Sequence, residues 1–150
     1  MSANHPMTMR QPNEHSKVSL SPLQTLQLIL IPMLGIVLGL RLYLHLVKVQ
    51  HVYPGGYLVH HLFWGVLILI PATFLLAFDP GKKAAIFCRM LLGIGSGMVL
   101  DEVVYLVVTK GGDDDYVSRI SLVGSIVFLS LAVILLLILY KLKRERFNKL

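Results

Sequence analysis

Charged residues are scarce in this sequence. They make up 15% of its 150 residues, whereas an ordinary soluble domain carries roughly 25%. This scarcity excludes a disordered chain and most soluble enzymes. It also argues against a nucleic-acid partner, although the formal net charge is +6. Cysteine is scarcer still. Cys88 stands alone, which excludes an internal disulfide and a cysteine-based zinc ribbon.

Apolar residues are abundant instead. They account for 55% of the chain, and the mean hydropathy is +0.72. A helix needs about 20 mostly apolar residues to cross a bilayer, and four stretches meet this requirement. The sequence therefore predicts an all-α polytopic membrane protein, a bundle of four transmembrane helices in contact with the lipid bilayer. The predicted spans are 22–46, 57–78, 84–108 and 120–140, between a flexible polar tail (1–21) and a basic tail (141–150).

The positions of lysine and arginine predict an orientation. Ten of the 14 basic residues lie in the N-terminal tail, around the second connection (82–89) or in the C-terminal tail. Because basic residues accumulate on the cytoplasmic side, both termini are expected to be cytoplasmic, with the loops 47–56 and 109–119 outside. Small residues four apart predict close helix packing. These pairs are Gly35 with Gly39 and Gly93 with Gly97.

Ionisable residues concentrate near the predicted outer ends of the spans. At 1.5 Å per residue, Asp101 lies about 10 Å below the end of the third span and His61 about 6 Å below the start of the second. Ionisable groups inside a bilayer are costly and are expected to face the bundle interior in pairs. The candidate ligand or ion-pair site consists of Arg41, His45, His60, His61, Asp101, Glu102, Tyr105 and Arg119.

Helix geometry limits which of these residues can converge. Asp101 follows Gly97 by four residues and should share its close-packing face. Consecutive residues point about 100° apart, so one member of each pair, His60/His61 and Asp101/Glu102, is expected to enter the site.

Three hypotheses fit this polar layer. The first is a divalent transition-metal site (zinc, iron or manganese) on His60, His61, Asp101 and Glu102, because imidazole and carboxylate suit these ions. Neither H-E-x-x-H nor E-x-x-H occurs in the chain. The second is an ion-pair network, His60 or His61 with Asp101 and Arg41 or Arg119 with Glu102. The third is a proton or ligand pathway, since histidine titrates in the required pH range.

The segments Val59–Gly65 and Gly93–Glu102 carry a resemblance. They resemble small prokaryotic four-span integral membrane proteins with a His-His pair on the second span and an Asp-Glu pair on the third. The likeness covers these two spans and the acidic loop that follows. It implies that the four polar residues act as a unit and that the chain resides in a prokaryotic plasma membrane, but it implies no particular activity.

The sequence thus predicts a small integral membrane protein with a His/carboxylate site near the outer face that binds a metal or a polar ligand. The alternative is a non-catalytic accessory subunit, with the polar layer as an ion-pair network. Its partners would be further copies of the chain or the larger subunits of a membrane complex.

Overall fold

The computed structural model describes residues 20–47, 60–108, 116 and 118–148. Over these residues the protein is all-helical. Its four long helices are α1 (Pro22–Leu46), α2 (His61–Ala77), α3 (Lys82–Val108) and α4 (Arg119–Phe147). The predicted tail 1–21 lies almost wholly outside the described residues. The helix α4 continues beyond position 140 through most of the predicted basic tail.

Local sequence explains where α1 and α2 begin. Ser21 caps α1: its side chain accepts from the Gln24 backbone at 3.1 Å, while the Gln24 side chain accepts from the Ser21 backbone at 3.1 Å. Pro22 occupies the first helical position, where its missing N–H is no loss. The N-cap of α2 is His60, whose backbone is extended (φ −74°, ψ 146°) and whose side chain does not cap the helix.

The third helix is the centre of the fold. In the described part of the chain, α1, α2 and α4 all pack against α3, α1 also touches α4, and α2 contacts α3 alone. This arrangement refines the predicted four-helix bundle, because three helices surround one helix rather than enclosing a shared core. Each side of α3 therefore faces a different partner.

Glycines on α3 let two neighbours approach closely. A Cβ at Gly97 would lie 2.7 Å from the Met33 carbonyl oxygen of α1, and one at Gly93 would collide with the Ile29 carbonyl. Neither position has room for a side chain, which explains why the predicted small-residue pair on α3 consists of glycines. The prediction for α1 is wrong: Gly35 and Gly39 have no atom within 4 Å of their Cβ positions.

A second glycine contact joins α2 to α3. A Cβ at Gly65 would lie 2.8 Å from the Gly95 carbonyl oxygen, and one at Gly95 would lie 2.8 Å from the Gly65 carbonyl. The spacing of small residues within one helix does not predict this pair, because its members lie on different helices. Because Gly95 is two residues, or about 200° of helical rotation, from both Gly93 and Gly97, α3 presents small residues to α1 and to α2 on roughly opposite sides.

Three helices, α1, α3 and α4, are long and apolar enough to cross a membrane. The fourth apolar helix, α2, has 17 residues and begins four positions later than its predicted span. At 1.5 Å per residue it is about 25 Å long, slightly less than the roughly 30 Å of hydrocarbon. Large apolar side chains are exposed along α4, as on a surface that faces lipid; examples are Ile120, Leu131, Ile138 and Leu142.

Candidate functional site

The polar residues at one end of the helices form a single cluster. We call it the polar cluster. It contains Arg41, His60, His61, Asp101, Glu102, Tyr105, Tyr116, Ser121 and Ser125. It lies where α1 and α3 approach their C-terminal ends and where α2 and α4 begin. All four helices therefore contribute to it.

Arg41 and Asp101 form the central ion pair. Arg41 Nε donates to Asp101 Oδ1 at 2.6 Å, and the exposed fractions of the two side chains are 15% and 0%. A carboxylate so deeply buried is expected to be paired, because an unpaired charge in a low-dielectric interior is strongly penalised. The pair fixes α1 to α3 next to the glycine contact at Gly97.

The remaining donors of Arg41 bind the start of α4. Its Nη2 donates to Ser125 Oγ at 2.6 Å and to Ser121 Oγ at 3.1 Å. Ser125 Oγ donates in turn to the Asp101 backbone carbonyl at 2.6 Å. The planar guanidinium offers five N–H donors in a fixed geometry, so one side chain can order groups from three helices.

Tyr116 closes this side of the cluster. Its hydroxyl donates to Asp101 Oδ2, its backbone carbonyl accepts from Arg41 Nη1 at 2.9 Å, and its ring lies 4.4 Å from the Arg41 guanidinium carbon. Burial raises the pKa of Tyr116, and the Asp101 carboxylate adds to this effect because it opposes a phenolate. The hydroxyl therefore stays a donor.

Glu102 binds the N-terminus of α2. Its Oε2 accepts from the Leu62 backbone N–H at 2.7 Å, and its Oε1 lies 2.6 Å from His60 Nδ1. The first backbone N–H groups of a helix lack partners within the helix, and the end carries partial positive charge. Glu102 thus caps α2 from a neighbouring helix, where the side chain of the N-cap residue does not.

His61 lies between the two carboxylates. Its Nδ1 is 3.3 Å from Glu102 Oε2, and its Nε2 is 3.4 Å from Asp101 Oδ2. The Nε2 atom is buried and has no hydrogen-bond partner among the described residues. His61 therefore links the Arg41–Asp101 pair to the His60–Glu102 pair.

Aromatic rings enclose the cluster. The Tyr105 ring is 5.4 Å from the Tyr116 ring and 5.9 Å from the His60 ring, and His61 meets Tyr116 edge-on at 5.6 Å. Tyr105 is 2% exposed. These rings exclude water from one side of the carboxylates, which strengthens the interactions of the charges that they enclose.

Two expectations from the sequence are corrected here. Both histidines and both carboxylates enter the cluster, not one of each pair. The reason is that α2 begins between His60 and His61, and that α3 presents Asp101 to α1 and Glu102 to α2. The predicted pairing is corrected in part: Arg41 binds Asp101 rather than Glu102, and Glu102 contacts both histidines. The predicted pairing of a histidine with Asp101 is present, as the contact of His61 at 3.4 Å.

Two candidate residues stay outside the cluster. His45 and Arg119 are exposed. The alternative ion pair of Arg119 with Glu102 does not form among the described residues, since Glu102 contacts the start of α2 instead.

Three cluster members were not predicted as site residues. Ser121 and Ser125 carried a weak signal, because their spacing places two hydroxyls on one face of a helix. Tyr116 ends an acidic stretch and carries no local signal that would bring it to Asp101.

The geometry does not support the metal hypothesis. Among residues 20–47, 60–108, 116 and 118–148, no group of three or more His, Cys, Asp or Glu side chains is arranged to hold an ion. The four residues proposed as ligands instead contact one another, Arg41, Tyr116 and the α2 backbone.

The chain matches no protein-family model, and comparisons with curated proteins and with solved structures found no similar protein.

Proposed function

We propose that the protein is a small integral membrane protein whose polar cluster binds and releases a proton near the outer membrane face. The observation that carries this proposal is the set of partners around Glu102. Two imidazoles and one backbone N–H face its carboxylate, and no lysine or arginine of the described chain pairs with it.

Charge balance supports the proposal. Asp101 and Glu102 bring two negative charges, and Arg41 brings one positive charge. The α2 N-terminus adds roughly half a charge more. A proton on His60 or His61 supplies the missing positive charge, and imidazole is the side chain suited to gain and lose it near neutral pH. The other polar side chains of the cluster bear no formal charge near neutral pH; they are Tyr105, Tyr116, Ser121 and Ser125.

Exposure suggests the route of exchange. The side chains of His60 and His61 are each 17% exposed, whereas those of Asp101 and Glu102 are 0% and 3% exposed. The imidazoles, like the Arg41 side chain at 15%, therefore reach the surface, whereas the two carboxylates do not. With both termini cytoplasmic, as the distribution of basic residues favours, that surface is the outer face of the proposed prokaryotic plasma membrane.

The proposal is tested by nitrogen-15 NMR of histidine-labelled protein in lipid nanodiscs, with signals assigned from single His→Gln variants. The nitrogen signals of both His60 and His61 are expected to report the bound proton, and Glu102→Gln should change both, because its carboxylate faces both rings. The signal of His45, which is exposed, is the internal control and should be unaffected by that substitution. Independent titration of the two histidines, unchanged in Glu102→Gln, would contradict a shared proton site.

A second candidate is the accessory subunit, with the polar cluster as a purely structural network. It is favoured by the partners of the carboxylates, because each oxygen of Asp101 and Glu102 has a hydrogen-bonding partner. In that case, the chain extracted from native membranes with detergent should purify in a stoichiometric complex, as a homo-oligomer or with larger subunits. The nitrogen signals of His60 and His61 should then not change with pH in the NMR experiment described above.

A further inference from the structure

A groove at the opposite end of the protein has a polar mouth and an apolar body. It has a volume of about 350 Å³ and lies between the N-terminal parts of α1 and α3. Its polar lining, which we call the mouth, consists of Gln24, Gln27 and Lys82, all exposed and within the first two turns of α1 and α3. Leu28, Ile86 and Met90 are among the residues of its apolar lining, which we call the body. The polar cluster does not contribute to it.

The mouth offers hydrogen-bond donors and positive charge. Gln24 Oε1 accepts from the Ser21 backbone, which leaves the amide nitrogen of this side chain as its donor. Lys82 contributes an exposed ammonium group. Among the described residues that line the groove, none is an aspartate or a glutamate. These groups suit a phosphate.

The charge around this end has the same sign. Among the described residues near it, seven are basic and two are acidic. The basic ones are Lys82, Lys83, Arg89, Lys141, Lys143, Arg144 and Arg146, and the acidic ones are Asp79 and Glu145. Basic pockets between membrane helices on the cytoplasmic side are suited to anionic lipid headgroups.

The body of the groove suits an acyl chain. Its walls extend from Gln24 to Pro32 on α1 and from Lys82 to Met90 on α3. Each wall is about 12 Å long at 1.5 Å per residue, so the groove runs from the polar end into the apolar region. Apart from the three polar residues at the mouth, the lining contributed by residues 20–47 and 60–108 is apolar.

We propose that this groove binds one anionic glycerophospholipid, with its phosphate at Lys82 and one acyl chain between α1 and α3. This inference rests on the proposal that the chain is a membrane protein, but not on proton binding by the polar cluster. The lipid would join the cytoplasmic ends of α1 and α3, whose outer ends are joined by Arg41 and Asp101.

The experiment titrates the full chain, in a neutral detergent, with phosphatidylglycerol and counts bound lipids by native mass spectrometry. Lys82→Gln should raise the apparent Kd about fivefold, the effect expected from one lysine at an anionic headgroup. Lys83→Gln removes the same charge from the same helical turn but not from the groove, and it should change the Kd less than about twofold. Both residues are exposed, so neither change endangers folding.

A second pair of variants tests the apolar body. Ile86→Trp should fill the groove and prevent binding, whereas Phe87→Trp, on an exposed neighbour, should not. Equal losses in Lys82→Gln and Lys83→Gln would overturn the proposal in favour of diffuse attraction. Phosphatidylcholine of the same chain length that binds as tightly as phosphatidylglycerol would overturn it too.

A separate experiment tests whether the chain is an integral membrane protein. If it is not, alkaline extraction of membranes will release the chain into the soluble fraction. If the chain stays in the membrane and the lysine variants behave alike, the lipid site alone is wrong.

Discussion

Arg41 Nε lies 2.6 Å from Asp101 Oδ1, and the Arg41 side chain also reaches the backbone carbonyl of Asp101 and two serines of α4. One guanidinium thus connects α1, α3 and α4 at the edge of the buried region. The contact lies one turn beyond Gly97, where α3 packs directly against the Met33 backbone of α1. Charge pairing and close packing consequently stabilise the same helix contact.

We expect Arg41→Gln to lower the free energy of unfolding by about 3 kcal/mol, since it leaves a buried carboxylate without its cation. In a double-mutant cycle with Asp101→Asn, the coupling energy should exceed about 1 kcal/mol. Unfolding in detergent measures both quantities. Arg119→Gln is the matched control, because Arg119 is exposed and its loss should stay within about 0.5 kcal/mol.

The cycle of His61→Ala with Asp101→Ala should show weaker coupling than the Arg41 cycle. The reason is geometric: His61 Nε2 is 3.4 Å from Asp101 Oδ2 and makes no hydrogen bond to it. Strictly additive losses in both cycles would contradict the idea of one connected cluster. A chelator should change neither coupling energy if the contacts are direct ion pairs.

Gly97→Leu should separate α1 from α3 and lower the unfolding free energy by about 2 kcal/mol, because its side chain would meet the Met33 backbone. The matched control is Gly35→Leu, which introduces the same side chain where no atom lies within 4 Å. Thermal unfolding in detergent distinguishes the two. Equal stability of both variants would show that the close contact is not needed.

The proposed orientation predicts the accessibility of single cysteines introduced at Gly55 and Gly111 in a Cys88→Ser background. Both positions lie outside the described residues, in the two loops expected on the outer side. An impermeant thiol reagent should label them in intact cells. Labelling that requires lysis at both positions would mean that the orientation is inverted.

The polar layer at one end of the helices could be predicted from the sequence because depth along a helix follows from counting residues. Asp101 and His61 have similar depths from opposite directions along the chain, and the cost of a buried charge requires partners. Neither argument needs the positions of neighbouring helices. The bounds of α1 could likewise be predicted, since an apolar run follows a Ser21–Gln24 capping box.

The pairing within the layer could not be predicted, because it depends on how helices surround α3. A rotation of 100° separates Asp101 from Glu102, and only the positions of α1 and α2 make both directions interior. His60 joined the site for a different reason. Its backbone is extended at the helix start, so the helical spacing rule does not apply to it.

Gly35 and Gly39 also show that the sequence does not give the positions of neighbouring helices. Their spacing predicts a close contact, yet their Cβ positions are open. A pair of small residues indicates that another helix can pack closely at that position, but it does not show that one does. The contact between Tyr116 and Asp101 depends on the tertiary fold, and no local sequence pattern predicts it.

Tyr116→Phe should reveal a pH dependence of stability at alkaline pH. Burial and the Asp101 carboxylate raise the pKa of Tyr116 in the folded protein, whereas a tyrosine in the unfolded chain ionises near about pH 10. The stabilisation contributed by the protonated hydroxyl is therefore fully present below about pH 10. It declines as the pH rises above that value, because the unfolded state then releases a proton that the folded state retains.

Below about pH 10, we expect the wild type to be more stable than Tyr116→Phe by about 2 kcal/mol, a typical contribution of a hydrogen bond to a charged group. Above that pH, the difference should shrink as the wild type loses stability and the variant, which lacks the hydroxyl, does not lose this contribution. Denaturant unfolding in detergent, measured for both proteins from about pH 8 to about pH 11, tests the trend around the tyrosine reference value. A difference that is independent of pH would show that the Tyr116 hydroxyl is not held by Asp101, and the cluster would then be limited to its arginine, histidines and carboxylates.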